Sequence, residues 1–169
     1  MTVSPSNPKV AAILQDVQQS YDALNQLIDG PLWQLPSEKL YVSPGDNEWT
    51  IMENLAHIVE FMPYWANEIA KLVVQPGQNF GRVQQDERRL TEIRSHAHDS
   101  LAQIKALLPE SYASLKQVLT NLGDSDLELT GVHSRYGEKT LEWFMQDFVT
   151  GHLRAHLAQM RAALDTLSS

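Results

Sequence analysis

Apolar residues recur at three- and four-residue steps through four long stretches of this chain, so whatever it folds into must bury one face of several helices. The first stretch runs from about Asn7 to Asp29, with Val10, Ile13, Leu14, Val17, Tyr21, Leu24 and Ile28 in one stripe. Pro8 suits a first helical turn, where its missing N–H has no partner to lose, and Gly30-Pro31 predicts the stop. The second opens on Thr50-Ile51-Met52-Glu53, a capping box in which threonine and glutamate each serve the other's backbone N–H. Its stripe is Ile51, Leu55, Ile58, Met62, Trp65, Ile69 and Leu72; Pro63 predicts a kink rather than a break, and Pro76-Gly77 the end. The third begins near Asp86, passes Leu101, Ile104 and Leu108, is interrupted at Pro109, resumes with Tyr112, Leu115, Val118, Leu119 and Leu122, and closes at Gly123. It reads as one kinked helix or two short ones. GDSDLELTGVHSRYGEKT comes next as a loop, and Thr140 caps a fourth helix running to about Leu167. No strand alternation and no internal repeat is visible. The expected fold is an all-α four-helix bundle over residues 1–169, a single domain, and several connections are long enough to hint at a crossover.

The remaining composition narrows the function classes. The formal charge is −8 and the pI about 5.1, which repels phosphate backbones and argues against nucleic acid as a partner. The one compact basic cluster, Arg88, Arg89 and Arg94, is interleaved with Asp86, Glu87 and Glu92 and reads as a solvated helix face. With no cysteine, disulfides and thiolate metal sites are excluded, so a metal would need His, Asp, Glu or water. The opening MTVSPSNPKV has neither a basic nor an apolar leader segment, and no apolar run approaches the roughly 20 residues that span a bilayer. A cytoplasmic protein without a membrane partner is the expectation.

The histidines carry the chemical signal. At about 100° per residue, Leu141, Met145, Phe148, His152, Ala155, His156 and Ala163 fall in one arc of the fourth helix, opposite Asp147, Arg154, Arg161 and Asp165. His152 and His156 are one turn apart on the inward side and can chelate one ion; equally, they can be packed core residues. His57 lies toward one edge of the second helix's stripe. Three imidazoles from two helices would leave coordination positions open, as reactive sites do. His96 and His98, spaced by two, cannot share a helix face and read as surface; His133 could approach the open end of the bundle but reads more simply as a turn residue. Glu-x-x-His and His-Glu-x-x-His are both absent, which excludes ferritin-like di-iron sites and zincin-type proteases.

Trp49-Thr50 opening a helix that holds His57, and HSRYGEKT leading into LEWFMQDFVTGHLRAHLAQM, together resemble the DinB/YfiT-like superfamily. The resemblance implies a four-helix bundle with up-down-down-up topology and a long crossover. It implies a divalent ion, zinc or nickel, held by His57, His152 and His156, and often a homodimer. Some members of that superfamily are thiol-dependent transferases or hydrolases. The chain is therefore expected to be a metal-dependent enzyme acting on a small molecule, with a low-molecular-weight thiol as a candidate co-substrate. The alternative is a non-catalytic metal- or ligand-binding bundle that acts through dimerisation. Glu60, one turn after His57, is the candidate for a general base or for an acceptor of an imidazole N–H; a solvated glutamate is the plainer reading. Phe61, Tyr64, Trp65, Phe144 and Phe148 can wall an apolar pocket or simply fill the core.

Overall fold

The computed structural model describes residues 6–169. Part of the leader expectation rests on Met1–Pro5, which lies outside the described residues. Four long helices make the bundle: α1 (Pro8–Leu27), α2 (Ile51–Val74), α4 (Leu101–Thr120), and a last helix formed by α5 (Leu141–Met145), a π turn (Gln146–Thr150) and α6 (Gly151–Leu167). A shorter α3 (Glu87–His96) lies between α2 and α4.

Cross-helix contacts fix the directions. Lys9 reaches Glu142 and Asp16 pairs with Arg154, so α1 and the last helix run parallel. The Asp124 amide donates to Asn7 Oδ1 (2.9 Å) and Lys105 pairs with Asp29, so α4 runs against α1. His57 meets His152 and Trp65 stacks on Phe148, so α2 runs against the last helix. The order is up-down-down-up, as expected. Parallel α2 and α4 demand a connection that returns along the bundle, and residues 75–100, including α3, make that crossover.

Helix α2 is the central element, because its apolar residues wrap most of its circumference. Ile51, Met52, Leu55, Ile58, Phe61, Met62, Ile69 and Leu72 are fully buried in one continuous core with Ile28, Leu108, Leu115, Phe144 and Met160. Its start is the expected capping box: the Glu53 amide donates to Thr50 Oγ1 (3.0 Å) and the Thr50 amide to Glu53 Oε2 (2.7 Å). It runs unbroken through Pro63.

The structure departs from the sequence reading at four joints. Gly30-Pro31 does not stop α1; a π turn over Ile28–Leu32 absorbs the proline, and the helical path continues to residue 34, before Pro36. Pro109 does not interrupt the third segment. It sits inside α4, and the break falls at 97–100, where Ser100 and Gln103 form a second capping box. The stretch before the last helix is not all loop. A 3-10 turn (Asp124–Glu128) leads into a hairpin of β1 (Thr130–His133) and β2 (Gly137–Thr140), paired antiparallel from Thr130↔Thr140 to His133↔Gly137. Strands of four residues are too short to show alternation, and β1 is fixed from outside: Val132 N–H donates to Gln78 O (3.0 Å), and Val132 O accepts from Phe80 N–H (3.0 Å). Finally, the last helix contains the π turn over Gln146–Thr150. Among the described residues, no helix is long and apolar enough to cross a membrane.

The capping box at the head of α2 anchors the most buried helix. Thr50→Ala is expected to lower the unfolding free energy by about 1 kcal/mol without changing its denaturant slope, measured by urea denaturation in the presence of chelator.

Candidate metal centre

His57 lies two turns into α2, where its neighbours on the inward side are Asn54, Glu60 and Phe61, all buried. The opposing pair is positioned by the π turn. A π turn adds one residue per turn and so rotates the residues beyond it by about 100° relative to a regular helix. Gly151 makes this possible: a Cβ there would lie 2.5 Å from the Gln146 carbonyl oxygen. Beyond it, Leu153, His156, Leu157, Met160 and Ala163 form the buried face. His152 is half-buried at its edge and Ala155 is exposed, so the straight helical wheel placed these two further inward than they are.

His57 Nε2 stands 2.8 Å from His152 Nε2, and His156 Nε2 stands 3.2 Å from the same atom. One ring nitrogen from each of the three residues lies within 4.8 Å of the others. The second nitrogens decide what this means. His57 Nδ1 lies 3.1 Å from Glu60 Oε2, and the other oxygen of Glu60 is paired with Arg82. A carboxylate in that position only accepts, so His57 Nδ1 carries the proton. His156 Nδ1 lies 2.7 Å from Asn54 Oδ1, and the Asn54 amide orientation is fixed because its Nδ2 donates to Thr50 O (3.0 Å). His156 Nδ1 therefore carries its proton too.

Both Nε2 atoms are then bare lone pairs aimed at His152 Nε2, which has at most one proton to give. At least one contact is lone pair against lone pair. Additional protons do not relieve it, because burial, first of all, holds all three imidazoles well below the ordinary histidine range, with the Arg89 charge pushing the same way. A cation at the focus relieves it. Three neutral imidazoles, two with Nδ1–H bound to an oxygen, are the donor set that divalent zinc, nickel or iron takes. A tetrahedral ion with Zn–N of 2.0–2.1 Å separates its ligand nitrogens by about 3.3 Å, near the 2.8 and 3.2 Å that His152 keeps from its two neighbours.

The surroundings are aromatic and cationic. Phe61 packs on His57 and His152 (ring centroids 5.3 and 4.9 Å), and Trp49 stacks on His156 (5.8 Å) while meeting His57 edge-on (5.4 Å). Two cavities meet at the histidines. One, of about 440 Å³, is reached by His57 and His152 and walled by Trp65, Phe148, Arg82, Arg89 and His133. The other, of about 540 Å³, is reached by His152 and His156 and walled by Trp49, Glu48, Arg89 and Gln159.

The crossover builds the shared wall. Gly81 has φ +81°, and a Cβ on it would lie 2.9 Å from the His133 ring and 3.1 Å from Trp65, so only glycine passes there. Its N–H donates to Glu68 Oε2 (2.9 Å), and Arg82 comes next, over the Tyr64 ring at 3.6 Å and paired with Glu60.

The other expected residues take varied positions. Glu60 is buried; burial pushes its carboxyl up and Arg82 holds it back, and it contacts His57 rather than either cavity. His133 is not an open turn residue. It is 3% exposed on β1, where its Nδ1 accepts from the Arg135 amide (3.1 Å) and its Nε2 faces the Arg82 carbonyl (3.3 Å), so it ties hairpin to crossover. His96 is at the far end of α3 against Asp99 (2.7 Å), and His98 is exposed, as expected. Trp65 and Phe148 wall a cavity; Phe144 is core, stacked on Phe80 (4.4 Å). The basic cluster is only partly a solvated face. Arg94 pairs with Glu87 at the surface, but Arg89 turns inward to both cavities. Asn54 went unnoticed in the sequence, although it precedes His57 by three residues and so shares its helix face.

Comparison with known proteins agrees with this architecture. The family model described as DinB superfamily matches residues 16–160. Among solved structures, YfiT from Bacillus subtilis, described as a probable metal-dependent hydrolase with an unusual four-helix bundle topology, superposes with a TM-score of 0.74 at 17% identity. The superposition covers 91% of this chain and 85% of that one, and at this identity it speaks for the fold. The search of curated proteins gave no match.

Two outcomes are expected of protein purified without tag or chelator. His152→Ala loses stoichiometric divalent metal while keeping its helical circular dichroism, and His96→Ala keeps its metal; elemental mass spectrometry reads both. Asn54→Ala, which frees His156 Nδ1, weakens metal affinity about 10- to 100-fold in a competition titration against a chromophoric chelator.

Proposed function

Because the chain belongs to the DinB superfamily, we propose that it is a metal-dependent enzyme acting on a small molecule, a transferase or hydrolase, with a divalent ion, zinc or nickel, held by Nε2 of His57, His152 and His156. The observation that carries this reading is the convergence of three proton-poor nitrogens where two cavities meet. The cavities support this reading over a purely structural site, since a closed metal serves stability and one bordered by space for a ligand suits chemistry.

When bound, the ion supplies a Lewis acid that lowers the pKa of a thiol or water or polarises a substrate oxygen. The chain's own residues do the rest. Glu60 accepts from His57 Nδ1 and is itself held by Arg82, which makes it a positioning residue for His57 rather than a general base. Asn54 does the same for His156. Trp65 and Phe148, stacked 4.9 Å apart, offer an apolar wall to the body of the substrate. Trp49 and Phe61 cover the ligand rings and keep bulk water from them.

A thiol-dependent transfer is the reading to test first. With a low-molecular-weight thiol and 1-chloro-2,4-dinitrobenzene, a sulfur–carbon bond forms, the carbon–chlorine bond breaks, and chloride and the thiol proton leave to solvent. The metal-loaded protein is expected to raise the rate above that of His152→Ala by tenfold or more, monitored by product absorbance. A panel of activated esters, in which water adds and the alcohol leaves, tests hydrolysis in parallel. Equal rates for wild type and His152→Ala in both assays would favour the non-catalytic reading.

A further inference from the structure

Arg89 sits where the two cavities meet, in a wall it shares with Gln84, His152 and Ala155. Its guanidinium is fixed rather than free: one nitrogen donates to the Gln84 carbonyl (2.8 Å), and the group lies 5.3 Å from the centre of the Trp49 ring. It is half-buried. Yet among the described residues no carboxylate comes within ion-pairing distance of it. The neighbouring arginines differ. Arg82 is matched by Glu60 and Arg94 by Glu87. Glu60, already paired with Arg82, and Asp86 act on Arg89 only through space, and a cation so held, half out of water beside three neutral imidazoles, is a costly arrangement. A dication at those imidazoles would raise that cost further. An anionic ligand would remove it.

Resting on the metal-dependent reading above, we infer that Arg89 is a substrate-binding residue and that the substrate carries a carboxylate or phosphate, gripped by the guanidinium at the junction of the cavities. The planar fork of arginine matches both groups by paired N–H donation. The walls set the rest of the ligand. On one side Trp65 and Phe148, stacked on each other, make an apolar stretch of wall, which suits an apolar body beside the anionic group. The charged groups facing that cavity besides Arg89 are Arg135, exposed over Tyr136, the neutralised Arg82, and Asp147 at the exposed side, so its free charge favours an anion. On the other side, among the described residues, Glu48 is the one carboxylate that lines the cavity with Arg89.

The test is direct binding, with catalysis left aside. Zinc-loaded wild type, Arg89→Gln, Arg89→Lys and the surface control Arg94→Gln are titrated calorimetrically with benzoate, phenylphosphonate and the neutral benzyl alcohol, and the zinc content of each is measured. The expected result is that one anion binds wild type and Arg94→Gln alike. It binds Arg89→Gln about ten- to a hundredfold more weakly and Arg89→Lys in between, with zinc content and benzyl alcohol binding unchanged. Whether benzoate or phenylphosphonate binds tighter assigns the carboxylate or the phosphate. Equal anion affinity in wild type and Arg89→Gln, or no anion binding to zinc-loaded wild type, would overturn the assignment. Failure of wild type to take up zinc would instead overturn the metal reading, and titrating the metal-free pair with the same anions would still decide the role of Arg89.

Discussion

Helices α2 and α4 run in the same direction, and this forces the chain to travel the length of the bundle between them. The return path is neither a tight turn nor a free loop. It is pinned at Gly77–Phe80 to the backbone of the β1 strand, at Gly81 to Glu68, at Arg82 to Glu60, and along α3 to α2. Glu60 and Glu68, which take two of these pins, lie on the side of α2 that carries His57. A connection required by topology thereby becomes a wall beside three histidines, and it supplies Arg82 and Arg89 while the hairpin supplies Arg135.

Within the bundle, the decisive detail is which nitrogen of each histidine keeps its proton. Burial makes the rings neutral, but neutrality alone leaves the tautomer open. Glu60 and Asn54 close that choice by accepting from Nδ1, and Arg82 and the Thr50 carbonyl in turn hold those acceptors. The chain of dependence runs from the cap of α2 to the focus of the three rings. Thr50 thus belongs both to the stability of the helix and to the orientation of the His156 ring.

Much of this was legible in the sequence. The four helical stretches, the capping box at Thr50 and the inward placement of His156 follow from periodicity, because each is a local pattern reinforced by burial. The bringing together of His57 with a pair some 95 residues away was legible only through the family resemblance, since a helical wheel does not say which helices are neighbours. What escaped was set by tertiary contact. Pro31 and Pro109 lie in helices because packing on both sides outweighs a missing hydrogen bond, and the hairpin exists because the crossover pairs with it. Arg89 looked like its neighbours Arg88 and Arg94, because the direction a surface-helix arginine takes depends on what stands opposite, here Trp49 and the cavities.

The bundle and the crossover also differ in what they can tolerate. The helices that carry the histidines are locked into one core, where a change of even a methylene is felt. Beyond Phe80 the crossover contributes little to that core: α3 buries Ile93 alone among its residues. Sequence drift in residues 83–96 can therefore reshape the cavity wall and its charge while the arrangement of the three histidines stays fixed. Such a division lets one frame of histidines be refitted to new surroundings by rewriting a strap on its surface, with the interior left as it is.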